Sequence, residues 1–97
     1  MKYIVYNFIL TKHSTISSIF SHTFKKIAEN EIFKDNFNFK TIDVDDTENL
    51  HFVEIFNLKF VPTIIVSNDN NDKIIEIIGA ENEEEINKKL KELINNG

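Results

Sequence analysis

Apolar positions along this chain change period several times, and each change marks an element. Residues 2–9 are rich in β-branched and aromatic side chains and read as a first strand, with Asn7 inside it. From Ser17 the apolar positions Ile19 (or Phe20), Phe24 and Ile27-Ala28 recur at helical spacing through Asn30, a first helix. Phe37-Asn38-Phe39-Lys40-Thr41-Ile42-Asp43-Val44 alternates with period two, a second strand. Asp45-Asp46-Thr47 then offers capping oxygens to a helix on which Leu50, Val53 and Phe56 share one face. Asn57 follows where a helix end wants positive φ, which asparagine tolerates better than most residues. Residues 63–67 form a third strand, 68–72 a polar turn and 73–78 a fourth strand. The chain closes on a helix over 81–96 with Ile86, Leu90, Leu93 and Ile94 inward, carboxylates leading and lysines following.

The order is β-α-β-α-β-β-α in a single domain covering 1–97, with no linker and no internal repeat. The five-residue connection between the last two strands makes them an antiparallel pair, and the two β-α-β crossovers are expected to pair in parallel. The expected architecture is α/β: a mixed four-stranded sheet with helices on both faces. A ferredoxin-like chain would run β-α-β-β-α-β instead.

Bulk properties narrow the function classes. A chain of 97 residues with 41% hydrophobic content and nine phenylalanines can bury a core of its own. No run approaches the ~18 apolar residues of a membrane span. The apolar start is broken by Asn7 and lacks a small-residue cleavage site, so it reads as a strand rather than a leader. With no cysteine either, a cytoplasmic location is expected. The net charge of −5 is uneven: 1–42 carries six lysines against three carboxylates, and 43–97 carries five against thirteen. All of the basic side chains are lysine, so bidentate arginine contacts to phosphates or bases are excluded, and neither nucleic acid nor membrane is an expected partner. No long apolar edge stands out in the pattern, and a monomer is expected.

The one proline, Pro62, opens the third strand in Phe60-Val61-Pro62-Thr63, where its missing N–H cannot serve a neighbouring strand. Upstream, Ser14-Thr15-Ile16-Ser17 stands at the entrance to the first helix. Val61-Pro62-Thr63 resembles the cis-proline loop of the thioredoxin family, and Ser14 and Ser17 fall on the positions of its Cys-x-x-Cys pair if one residue is inserted before them. Ile42-Asp43-Val44-Asp45, Phe56-Asn57-Leu58 and Ile78-Gly79-Ala80 resemble further family segments in register, and the likeness covers nearly the whole chain. The acidic glutathione motif of the glutaredoxin branch is missing. The resemblance implies a thioredoxin-like fold, with Ser14 in the nucleophile position and Ser17 in the resolving position. It also implies a peptide groove at Val61 and Pro62, flanked by Phe60 and Gly79 and by His13, Thr15 and Ile16. Asn7 stands where many members bury a proton-shuttling aspartate, and His13 where they carry tryptophan.

Disulfide exchange needs a thiolate. A helix N-terminus can lower a cysteine pKa from ~8.5 to about 7 or below, but contributes only about 0.3–1 kcal/mol to an exposed charge. That does not ionise a serine hydroxyl, and serine forms no disulfide. As written, the chain has no thiol-disulfide activity and calls for no cofactor. A hydrolase role for Ser14 fails too, because His13 is its chain neighbour and no orienting acid is apparent.

The hydroxyls of this segment read most simply as caps on the first helix, and more sharply as an anion site with Lys12 and His13. His13, His22 and His51 lack metal spacing, and Asp43, Asp45, Asp46 and Glu48 read as caps and solvated charges. The leading expectation is a protein of the disulfide oxidoreductase lineage, a Cys-to-Ser form of a protein disulfide reductase that keeps its peptide groove. Its partner would be an extended protein segment, with a reductase in addition if cysteines occupy 14 and 17 natively. The alternatives are a naturally redox-dead binding module, as in phosducin-like domains, and anion binding at the first helix.

Overall fold

In the computed structural model, residues 3–10, 15–79 and 83–96 are described, those of 15–21 and Asn96 by their backbone alone. The elements are β1 (Tyr3–Ile9), α1 (Thr15–Ala28), α2 (Glu31–Lys34), β2 (Phe37–Asp43), a 3-10 turn (Thr47–Asn49), α3 (Leu50–Ile55), β3 (Thr63–Ser67), β4 (Lys73–Ile78) and α4 (Glu83–Asn96). The four strands make one mixed sheet in the order β2-β1-β3-β4. The α/β architecture expected from the sequence is the one observed, with the short α2 added. Asn30 starts that helix by accepting from the Ile32 N–H, which also ends the first helix sooner than its periodicity suggests.

Alternation along β1 sends its side chains to two cores. Val5 packs with Phe24, Ile27, Ile64, Ile86 and Leu90 on the side of α1 and α4. Tyr6 and Phe8 pack with Ile42, Ile65 and Phe56 on the other side, under α3. The Tyr6 ring lies 5.3 Å from Phe52 and 5.2 Å from Phe56, so the inward face of α3 runs through 52 and 56. Leu50 was expected inward with Val53 and Phe56, and it is instead 51% exposed. The two phenylalanines, four residues apart, offer more apolar area than Leu50 and set the helix rotation.

Strand direction also departs from the pattern's expectation. β1 and β2 pair in parallel, but β3 runs antiparallel to β1, so the second crossover is not a parallel one. The reason is length. A six-residue helix advances about 9 Å, short of the roughly 17 Å needed to return along β3. Residues 44–62 therefore leave and re-enter the sheet at one end. That end gathers the C-termini of β1, β2 and β4 and the N-terminus of β3, through the pairs Ile9↔Asp43, Phe8↔Thr63 and Thr63↔Ile78.

Candidate functional site

Residues 60–63 and 78–79 meet at this end. The Val61–Pro62 peptide bond is cis. Pro62 is buried, and its carbonyl accepts from the Gly79 N–H at 2.9 Å. On the other side of Val61, the Thr63 hydroxyl donates to the Phe60 carbonyl at 2.7 Å. The loop is thus pinned before and after Val61. Among the described residues nothing pairs with the Val61 N–H or C=O. Val61 is 36% exposed, Phe60 59% and Ile78 52%, so an apolar rim surrounds an open stretch of backbone.

Gly79 has φ +87°, and a Cβ there would meet open space. Its glycine serves the backbone turn that aims its N–H at Pro62, not a close approach. Asn57, at φ 51°, ends α3 as expected of an asparagine in that place. The reading of the sequence passed over Ile78 as a groove wall. Lys73-Ile74-Ile75-Glu76-Ile77-Ile78 does not alternate in residue type, so the sequence carried no signal for it; in the fold Ile77 is buried and Ile78, next along the strand, faces out on the α3 side.

Of the residues placed in the site by the resemblance, Ser14 and His13 lie outside the described residues. Thr15, Ile16 and Ser17 belong to the first turn of α1, known by its backbone alone. The anion site at this helix end falls in the same segment and is likewise outside the described residues.

Asn7 is 0% exposed, and among the described residues neither Nδ2 nor Oδ1 has a hydrogen-bond partner. Alternation with Val5 places it on the α1 side of the sheet, paired across strands with Ile64 and Thr41. An amide there cannot take up or release a proton near neutral pH, as a carboxyl could. On the opposite face, burial pushes the Tyr6 phenol above its ordinary value, and the neighbouring Ser67 hydroxyl draws it partway back.

The acidic turn after β2 is used structurally. Asp43 Oδ1 accepts from the Asp45 N–H and Asp46 Oδ1 from the Glu48 N–H, both at 3.0 Å. His51 lies against Phe52 with ring centres 4.0 Å apart, and its Nδ1 is 3.0 Å from the Glu48 carbonyl oxygen. Among the described residues no helix is long and apolar enough to cross a membrane.

No protein-family model and no curated protein matches this chain. Solved structures do. A thioredoxin of Malassezia sympodialis is 21% identical and superimposes with a TM-score of 0.79, over 94% of this chain and 74% of its own. The germline-specific thioredoxin Deadhead of Drosophila melanogaster is 24% identical, with a TM-score of 0.75 over 95% and 81% of the two chains. Mitochondrial thioredoxin 3 of Saccharomyces cerevisiae is 22% identical, with a TM-score of 0.73 over 94% and 78%. Likeness at these identities establishes the fold: the chain has a thioredoxin fold.

Proposed function

We propose that this chain is a thioredoxin-like protein of the disulfide oxidoreductase lineage, redox-inactive because positions 14 and 17 are serine. Its retained activity is to hold an extended protein segment across Phe60-Val61-Pro62 and Ile78-Gly79. The observation that carries this reading is the open Val61 backbone, pinned on both sides and rimmed by exposed apolar side chains. An extended chain laid there can pair its main chain with Val61 while apolar side chains rest on Phe60 and Ile78.

The test is an amide-resonance titration with carboxymethylated insulin B chain. Shifts are expected at Phe60, Val61, Thr63, Ile78 and Gly79, and Phe60→Ala should weaken binding without unfolding the protein, because Phe60 is largely exposed. Shifts confined to other surfaces would refute the groove.

Two histories fit the serines. Serine at both ends of one four-residue motif, with the proline loop intact, favours a Cys-to-Ser form of a disulfide reductase. Asn7 favours natural loss, since a buried amide cannot shuttle the proton that resolving a mixed disulfide requires. The double variant Ser14→Cys/Ser17→Cys separates them: dithiothreitol-dependent insulin reduction supports the first, and an absence of turnover the second.

A further inference from the structure

The sheet has two open edges, and they differ in kind. At one edge β2 exposes Asn38, Lys40 and Thr41, the polar and charged cover that keeps an edge unpaired. At the other, β4 is Lys73-Ile74-Ile75-Glu76-Ile77-Ile78, with Ile74 42% and Ile78 52% exposed. The Gly79 N–H donates to the Pro62 carbonyl, one step beyond the Thr63↔Ile78 pair. Antiparallel alternation then turns the N–H and C=O of Ile75 and Ile77 toward β3, and those of Glu76 and Ile78 toward the open edge. On the α3 side of this edge lies a cavity lined by Asn57, Lys59, Phe60, Lys73, Glu76 and Ile78. Lys73 Nζ is 3.4 Å from Glu76 Oε2, and among the described residues Lys59 has no ion pair.

We propose that β4 pairs with β4 of a second copy, antiparallel about a two-fold axis at Ile77, joining the two sheets into one. The side chains select this register. Centring the axis on Glu76 would set that carboxylate against its own copy, a like-charged pair. Centring it nearer Lys73 meets the irregularity at Ile74, where Val66 pairs with Ile75 but Ser67 with Lys73. Centred on Ile77, the axis sets Glu76 opposite the partner's Ile78, and Ile78 opposite the partner's Glu76. All of these residues turn their main chain outward, so the two pairs supply a short ladder of backbone hydrogen bonds. The partner's Glu76 then stands beside Ile78 on the α3 face, at the cavity that holds Lys59. The contact is its own complement, as a two-fold requires. The monomer expected from the sequence took no account of strand order, which makes this isoleucine-rich strand an edge. The added strand lies in the plane of the sheet, so the dimer does not rest on the groove reading.

The experiment is sedimentation equilibrium of the full chain at ~0.15 M salt, where the charge of −5 on each copy is screened beyond about 8 Å. So short an interface belongs to the weak class, and a dissociation constant on the order of 0.1 mM is expected. Raising the concentration should slow hydrogen exchange at the Glu76 and Ile78 amides and leave Ile75 and Ile77, already bonded to β3, unchanged. Lys59→Glu and Glu76→Lys should each weaken the dimer about tenfold, and the two together should restore it within about threefold. Ile78→Pro removes only an outward N–H from the folded chain and should abolish pairing. A monomer up to ~1 mM would overturn the inference and leave this edge to a strand of another protein. A dimer that tolerates Ile78→Pro, ignores the charge exchange or protects other amides would overturn it too.

Discussion

Replacing Asn7 by valine should stabilise the protein, although asparagine sits at the centre of its first strand. The side chain is fully buried, and among the described residues both its amide atoms lack partners. A buried polar group left without a hydrogen bond costs about 1–3 kcal/mol. Valine has no polar atom, carries one fewer heavy atom, suits a strand, and would meet Val5 and Ile64 on the α1 side of the sheet. Allowing for a small void, the net gain is about 2 kcal/mol. For a domain of this size, ~1 kcal/mol corresponds to about 4–8 °C, so the melting temperature should rise by roughly 8–16 °C. Calorimetry of the two proteins at neutral pH measures it. A lower melting temperature for Asn7→Val would refute the reasoning, because it would mean that the amide is paired in the folded protein. Asn7→Asp supplies the converse. Burial would raise the new carboxyl above its unfolded value of ~3.9, so its proton would be held more tightly folded than unfolded. Stability is then retained below pH ~4 and lost as pH rises toward the folded pKa, by about 1.4 kcal/mol per unit.

The remaining predictions follow from single residues. The Tyr6 phenol is raised, chiefly by burial, so stability should be full below pH ~10 and fall as pH rises through the higher folded value. Tyr6→Phe should abolish that alkaline loss in urea titrations at a series of pH values. Gly79→Ala should cost about 1–2 kcal/mol, from backbone conformation alone, because nothing obstructs the added methyl. Denaturant midpoints would show it, and an unchanged midpoint would contradict the positive φ. Phe56→Ala should cost about 3–5 kcal/mol, whereas Leu50→Ser should stay within ~0.5 kcal/mol, and the reverse ranking would restore the helix face suggested by the sequence.

The errors in reading this sequence share a cause. The second strand was legible from its alternation, with Phe37 and Phe39 set between exposed residues, and the fourth began and ended where expected. The rotation of α3 was not legible. In so short a helix Leu50, Val53 and Phe56 fit helical spacing as well as Phe52 and Phe56 do, and only the Tyr6 ring above β1 decides between them. Strand direction failed for a related reason. A β-α-β pattern implies a parallel return only when the helix is long enough to span the sheet; both caps were marked in the sequence, but the 3-10 turn at 47–49 that leaves α3 only six residues was not. Asn7 was visible as a polar residue in a buried strand, but that it goes unpaired among the described residues is a matter of three strands and could not be read from one.

Under the proposed function, the open Val61 backbone and the positions of the two serines belong to different parts of the chain, and that bears on what the serines change. The contacts that fix Val61 are Thr63 to Phe60 and Gly79 to Pro62, all within β3, β4 and the loops at their ends. Among the described residues, neither contact comes from α1, whose first turn holds Ser17. Under the proposed function, a change at 14 and 17 is then expected to alter what happens after a segment is bound rather than how firmly these two contacts hold the loop. The double variant Ser14→Cys/Ser17→Cys, kept reduced, should bind carboxymethylated insulin B chain within about twofold of the present chain, a difference of under half a kcal/mol. A tenfold change in either direction would mean that the helix terminus is itself part of the binding surface, and the two functions would then not be separable.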